Sequence, residues 1–169
     1  MDTSTVTPET DHARMPSARG WLGLVPFAIA VSVAAGLGGL AASSASAEYA
    51  ALDQPFFAPP SWLFGPVWTV LYAMVAIAGW LTWRRTGVDA ATWWWAGQLA
   101  LNAAWTPIFF GAGAYGWALV EISLLLVALV VTIALTRTRS TAATWLLTPY
   151  LAWVTFAAVL NGSIWWLNR

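Results

Sequence analysis

Five long apolar runs, separated by short polar segments, dominate the pattern along the chain. Each run is about 20 residues or longer, enough for an α-helix to cross the roughly 30 Å hydrocarbon core of a membrane. The runs cover residues 20–42, 62–83, 90–111, 115–136 and 144–166. The pattern therefore predicts an all-α membrane protein built as a bundle of five transmembrane helices.

The connection between the first and second runs differs from the others. Residues 49–72 contain four prolines, and the two acids of this connection are Glu48 and Asp53. The segment is too polar and too rich in proline at its start to span a membrane, yet it is too apolar from Trp62 onward to be a soluble loop. We predict an extended lid loop that runs into the second helix and covers a binding site.

The polar residues 1–18 predict a disordered tail ahead of a single membrane domain, residues 19–169. A cleaved signal peptide is the alternative for the first run, because Ala45-Ser46-Ala47 resembles a cleavage site. The apolar region of a signal peptide is about 7–15 residues long, and this run is longer. A retained helix is therefore favoured.

Composition supports a membrane protein and excludes several kinds of site. The chain is 60% hydrophobic and 8% charged, whereas a soluble domain carries about 25% charged residues. It contains no cysteine, which removes disulfides and thiolate chemistry, and its net charge of zero gives no basic patch for nucleic acid. The single histidine, His12, lies in the tail, so neither a metal centre nor strong axial ligation of haem iron is expected.

Arginine placement predicts the orientation. With five spans, the N-terminal tail and the loops after the second and fourth helices share one side of the membrane. That side carries Arg14, Arg19, Arg84, Arg85, Arg137 and Arg139, against Arg169 alone on the other. Because basic loops stay in the cytoplasm, we expect a cytoplasmic N-terminus, with the lid and the C-terminus outside.

The 14 tryptophans divide by depth. Ten lie near the ends of the runs, where an interfacial aromatic belt explains them. These are Trp21, Trp62, Trp80, Trp83, Trp93, Trp94, Trp95, Trp145, Trp165 and Trp166. Trp68, Trp105, Trp117 and Trp153 lie further in, and a belt explains them less well.

Polar and aromatic residues of four runs share one depth. At 1.5 Å per residue, Trp68, Asn102, Glu121 and Ala157 lie roughly 9–14 Å below the outer surface, with Trp153 deeper. Helical spacing groups Trp68 with Tyr72, Gln98 with Asn102 and Trp105, Trp117 with Glu121 and Leu124, and Trp153 with Ala157. Because polar groups in a membrane face the bundle interior, these faces are expected to converge below the lid.

Two alternatives stay open for the polar residues. Glu121 is either part of a functional site or a structural carboxyl that is protonated or bonded to the backbone. Asn102 and Gln98 are either ligand contacts or hydrogen-bonding links between helices, and these two roles are compatible.

The expected cavity suits a flat, aromatic and largely apolar molecule, because indoles outnumber polar groups in it. A metal-free tetrapyrrole fits better than haem. No ladder of acids crosses the membrane, so proton-coupled transport is not expected.

A stripe of small residues on the third helix predicts a homodimer. Ala96, Ala100 and Ala104 recur every four residues and point away from Asn102. Such a stripe lets two helices approach closely. Packing within one monomer is the alternative.

Four segments of the chain resemble the tryptophan-rich sensory protein family, also called TspO/MBR, whose mitochondrial members are the translocator proteins or peripheral benzodiazepine receptors. The segments are PPSWLFGPVWTVLY at 59–72, QLALNAAWTPIFFG at 98–111, GWALVE at 116–121 and PYLAWVTFAAVLN at 149–161. They touch four of the five predicted helices, while the first helix matches weakly.

The resemblance implies a five-helix bundle that dimerises and binds porphyrins without a further cofactor, with membrane lipid as its other contact. Trp68 and Trp153 would be the tryptophans that act in a light-dependent degradation of protoporphyrin. The ligand-binding residues expected are Phe64, Trp68, Tyr72, Asn102, Trp105, Trp117, Glu121, Leu124, Trp153, Ala157 and Leu160.

The chain departs from the family pattern in two places. The lid has Pro55-Phe56-Phe57 where the family has a tryptophan after the first proline. No tyrosine lies between Leu160 and Arg169, so cholesterol binding through the family's sterol motif is not predicted.

Three functional readings follow from the resemblance. The leading one is a membrane receptor that binds tetrapyrroles and senses or disposes of porphyrin. The alternatives are an enzyme that degrades porphyrin with light and oxygen, and a porphyrin or lipid transporter or membrane scaffold.

Overall fold

The computed structural model describes residues 18–41 and 45–169, and these residues contain helices and no strand. The helices are α1 (Ala18–Leu22), α2 (Val25–Ala41), α3 (Ala45–Ala51), α4 (Phe64–Thr86), α5 (Ala90–Thr106), α6 (Tyr115–Thr136) and α7 (Thr141–Leu167). A 3₁₀ turn, Ser61–Leu63, precedes α4, and a π-helix, Pro107–Gly111, follows α5. The predicted N-terminal tail lies outside the described residues except for Ala18.

The predicted five-helix membrane bundle is confirmed. Segments Gly20–Leu40, Ser61–Thr86, Tyr115–Thr136 and Thr141–Leu167 are long and apolar enough to cross a membrane. The remaining helix, α5, has 17 residues and gains length from the π-helix that continues it to Gly111. The five long helices form a closed ring in the order α2, α4, α7, α6, α5 and back to α2.

The lid is less extended than predicted, because it begins with the short helix α3. The sequence of α3, ASAEYAA, is rich in alanine, the strongest helix former. Pro55, Pro59 and Pro60 follow and cannot continue a helix. Only residues 52–60 therefore form the extended part of the lid.

Two of the ten tryptophans predicted to form the interfacial belt are core residues instead. Trp80 is 3% exposed and donates its indole N–H to the Gly20 carbonyl at 3.1 Å. Trp95 is 6% exposed and donates to the Val75 carbonyl at 3.0 Å. The Trp80 bond joins α4 to α1 and the Trp95 bond joins α5 to α4, so these two indoles stabilise helix packing at the end of the bundle away from the lid. Seven of the other eight are exposed, as a belt requires, while Trp83 is half-buried.

An ion pair fixes the turns at the same end of the bundle. Asp89 precedes α5 and accepts from the Thr92 backbone N–H at 3.2 Å, while Arg139 Nε donates to its other oxygen at 2.8 Å. Burial alone would raise the pKa of Asp89, but the Thr92 hydrogen bond and the Arg139 charge together lower it below its ordinary value. Asp89 therefore stays charged at neutral pH, caps α5 and holds it to the α6–α7 turn.

Candidate functional site

A cavity of about 420 Å³ lies inside the ring at the lid end. All five long helices, α3 and the π-helix contribute to its wall. Eight of the eleven ligand-binding residues expected from the sequence line it: Phe64, Trp68, Tyr72, Asn102, Trp105, Trp153, Ala157 and Leu160. The structure therefore brings together most of the predicted site, below the predicted lid.

Eight aromatic residues line the cavity, three of them tryptophans. Trp68 lies against Tyr72 with ring centroids 5.2 Å apart. On the α7 side, Trp153 meets Phe64 edge to face at 6.0 Å. On the α5 side, Trp105 stacks on Phe109 at 4.8 Å. These contacts hold three indoles in fixed orientations around one space.

The polar groups of the wall bond mostly to one another. The Tyr72 hydroxyl donates to Asn102 Oδ1 at 2.8 Å, joining α4 to α5. Trp105 Nε1 donates to Asn161 Oδ1 at 3.1 Å, and Asn161 Nδ2 donates to the Tyr115 carbonyl at 2.9 Å. Asn102 therefore links two helices, as one of its two expected roles requires, and it also lines the cavity, while its role as a ligand contact stays a prediction.

Trp153 is the exception in this network. Its indole nitrogen is buried and has no hydrogen-bond partner among the described residues. A buried donor without a partner is costly, by about 1–3 kcal/mol. The ring lines the cavity, but the nitrogen itself is closed to a water-sized molecule, so the ring would have to move before this N–H could reach an acceptor there.

Three residues expected at the site lie elsewhere. Trp117 and Leu124 are 73% and 55% exposed on the outside of α6. Glu121 is buried, but it does not line the cavity, and neither carboxyl oxygen has a hydrogen-bond partner in the described part of the chain. The buried stripe of α6 runs through Ala118, Ile122, Leu125 and Leu129, which turns Trp117 and Leu124 outward.

Several lining residues are not predicted from the sequence. Tyr49 enters from α3, Phe109 and Phe110 from the π-helix, and Ile164 from α7. Spacing offers a signal for two of them. Phe109 lies four residues after Trp105, and Ile164 lies seven residues after Ala157.

The lid is held from within and at its edge. The Tyr49 hydroxyl donates to the Pro59 carbonyl at 3.2 Å, and Gln54 Nε2 donates to the Tyr49 carbonyl. Phe57 packs its ring against Phe156 of α7, with centroids 6.3 Å apart. These contacts keep α3 and the extended part of the lid over the cavity.

Comparison with known proteins agrees with this architecture. The profile of the TspO/MBR family matches residues 25–167. The translocator protein of Homo sapiens is 42% identical over 122 residues, which cover 69% of this chain and 72% of that protein. The tryptophan-rich protein TspO of Archaeoglobus fulgidus is 39% identical over 132 residues, covering 75% and 84%. The tryptophan-rich sensory protein of Cereibacter sphaeroides is 34% identical over 120 residues, covering 71% and 76%. The chain therefore belongs to the TspO/MBR family of integral membrane proteins.

Proposed function

We propose that the cavity binds a metal-free porphyrin such as protoporphyrin IX and that the protein is a membrane receptor that senses or disposes of porphyrins. The observation that carries the proposal is the wall of three indoles, Trp68, Trp105 and Trp153, around one space. A volume of about 420 Å³ lies within the usual range for small-molecule sites. Flat conjugated rings stack favourably on such aromatic faces.

Two further features support the proposal, one for a flat aromatic ligand and one for the class of protein. The Trp153 ring lines the cavity and supplies a further aromatic face, next to Phe64. The family members compared above carry the names translocator protein and tryptophan-rich sensory protein, which fit a receptor or sensor.

Replacing Trp68 with phenylalanine tests the assignment of the site. Phenylalanine keeps part of the aromatic face, so the affinity for protoporphyrin is expected to fall by about tenfold or less. The measurement is a protoporphyrin titration followed by quenching of tryptophan fluorescence, with circular dichroism as a folding control. Trp145→Phe is the matched control, because Trp145 is 70% exposed and outside the cavity. Equal affinities in both variants and the wild type would remove Trp68 from the site.

The same samples separate receptor from enzyme when they are followed in light and in the dark. A stable shift of the porphyrin spectrum supports the receptor. Bleaching with a new product in light, lost in Trp68→Phe, would replace the receptor with a porphyrin oxidase, because phenylalanine is far harder to oxidise than tryptophan.

We also propose that α5 carries the interface of a homodimer. Ala96, Ala100 and Ala104 are exposed, while Gln98 and Asn102 on the opposite side of the helix are buried. The stripe can therefore pack against a second copy while the cavity stays intact. Ala100→Leu is expected to yield monomers in detergent by light scattering, with porphyrin affinity preserved. A dimer that survives this substitution would place the interface elsewhere.

The proposed orientation puts the N-terminus in the cytoplasm and the C-terminus and lid outside, from six arginines against one. A reporter that is active only in the cytoplasm is expected to work when fused before Arg14 and to fail when fused after Arg169. The opposite pattern would mean that the cavity lies on the cytoplasmic side.

A further inference from the structure

Asn168, at the C-terminal end of α7, makes two reciprocal hydrogen bonds with the backbone of the lid. The Asp53 N–H donates to Asn168 Oδ1 at 3.0 Å, and Asn168 Nδ2 donates to the Asp53 carbonyl at 3.0 Å. The side-chain amide of Asn168 thus bonds to both backbone polar groups of Asp53, which lies 115 positions earlier in the chain. We call this pair of bonds the clasp.

The clasp joins the lid to the helix that supplies much of the cavity wall. Asp53 lies between α3, whose Tyr49 lines the cavity, and Phe57, which packs on Phe156. The helix that ends at Asn168 contributes Trp153 and Ala157 to the same cavity. Breaking the clasp would therefore loosen the lid at the edge where it meets α7.

Helix capping alone does not account for the Asn168 side chain. Its Nδ2 also donates to the Ile164 carbonyl at 2.8 Å, but the backbone N–H of Asn168 already bonds to that carbonyl at 3.0 Å. The two bonds to Asp53 need a side chain with both a donor and an acceptor, which an alanine at the end of α7 would lack.

We propose that Asn168 is a positioning residue that holds the lid closed over the cavity, and that opening of the clasp is the step that admits and releases the ligand. The clasp bonds are exposed to solvent, so each adds only modestly to the closed state. Their loss is expected to raise the open-to-closed ratio about fivefold to tenfold. The part of the proposal that concerns ligand rates rests on the porphyrin function proposed above.

Substitutions at the two ends of the clasp are expected to differ in effect, because Asn168 contributes side-chain atoms and Asp53 contributes only backbone atoms. Asn168→Ala removes both bonds, and Asn168→Asp keeps the acceptor for the Asp53 N–H but loses the donor to its carbonyl. Asp53→Ala keeps both backbone groups and is expected to leave the clasp intact. Arg169→Ala is the matched control at the neighbouring position, where the guanidinium lies over Trp166.

Lid position can be measured without a ligand. The chain has no cysteine, so spin labels can be attached at Phe56→Cys, in the lid, and Val159→Cys, on the exposed side of α7. Pulsed electron resonance in lipid nanodiscs then reports the distance between the two labels. We expect a broader, longer distribution with Asn168→Ala, an intermediate one with Asn168→Asp, and the parent distribution with Asp53→Ala and Arg169→Ala. Lid distances unchanged in Asn168→Ala, or loosened equally by Asp53→Ala, would overturn the proposal.

Ligand kinetics separate gating from simple damage to the site. In unlabelled protein, stopped-flow mixing with protoporphyrin is expected to show both the association and dissociation rates about fivefold to tenfold faster in Asn168→Ala, with little change in Kd. A weaker Kd with an unchanged association rate would overturn the gating role, since it would indicate a damaged site. If the wild type fails to bind protoporphyrin, the proposed function is wrong, and the label distances alone decide whether the clasp holds the lid.

Discussion

Replacing Ala157 with leucine is expected to weaken protoporphyrin binding by about tenfold to a hundredfold while the protein stays folded. Ala157 lines the cavity on α7, one helical turn after Trp153. Leucine adds three carbon atoms in the space where a planar ligand would lie against the indole. Crowding of this kind costs about 1–3 kcal/mol, and 1.4 kcal/mol corresponds to a factor of ten in affinity. Quenching titrations in detergent and in nanodiscs measure the change.

The control for this change is on the same helix. Ala152 is exposed on the outside of α7 and does not line the cavity, so Ala152→Leu is expected to bind like the wild type. Apparent melting temperatures of both variants show whether the fold has changed. Full affinity in folded Ala157→Leu would show that the porphyrin does not occupy this part of the cavity.

The largest effect on stability is expected at Gly79. A Cβ at this position would lie 2.6 Å from Trp95 Cε2 and 2.8 Å from Phe27 Cδ1. Gly79→Ala must therefore displace the indole whose N–H donates to the Val75 carbonyl. Overpacking and a lost buried hydrogen bond together are expected to cost about 2–5 kcal/mol, seen as a lower melting temperature in detergent.

Gly97 provides the comparison. A Cβ on Gly97, within α5, meets no atom within 4 Å, so alanine there is expected to leave the protein as stable or make it up to about 1 kcal/mol more stable. Equal melting temperatures for Gly79→Ala and Gly97→Ala would show that the close contact between Gly79 and Trp95 does not stabilise the packing of α2, α4 and α5.

Sequence reasoning predicts depth in the membrane better than it predicts rotation about a helix axis. Counting residues places Trp117 and Glu121 on one face of α6, since four residues complete one turn plus about 40°. In the structure that small rotation separates them, with Trp117 73% exposed and Glu121 8% exposed. The position of a residue at the edge of a buried stripe depends on the neighbouring helices, which the sequence of one helix does not contain.

The tryptophans predicted for the interfacial belt show the same limit, since two of them are buried although their depth places them at the membrane surface. Trp80 and Trp95 lie near the ends of their runs, so depth alone assigns them to the membrane surface. For Trp95 a glycine on the facing helix decides otherwise, because Gly79 leaves room for the ring. By contrast, Trp68, Trp153 and Ala157 line the cavity, as both helical spacing and the motif resemblance predict. The resemblance shares the limit on α6, because it also implied Trp117 and Leu124, which are exposed.

A single turn of π-helix can be described as an α-helical turn that contains one extra residue. The π-helix Pro107–Gly111 contains two consecutive rings, Phe109 and Phe110, and both line the cavity. We expect a chain one residue shorter here to rewind to an ordinary α-helix, which would move the phenylalanines relative to the cavity and shift the phase at which α6 begins. We therefore expect insertions and deletions in this stretch to reshape the cavity wall and the start of α6 together, whereas a substitution would alter a single contact.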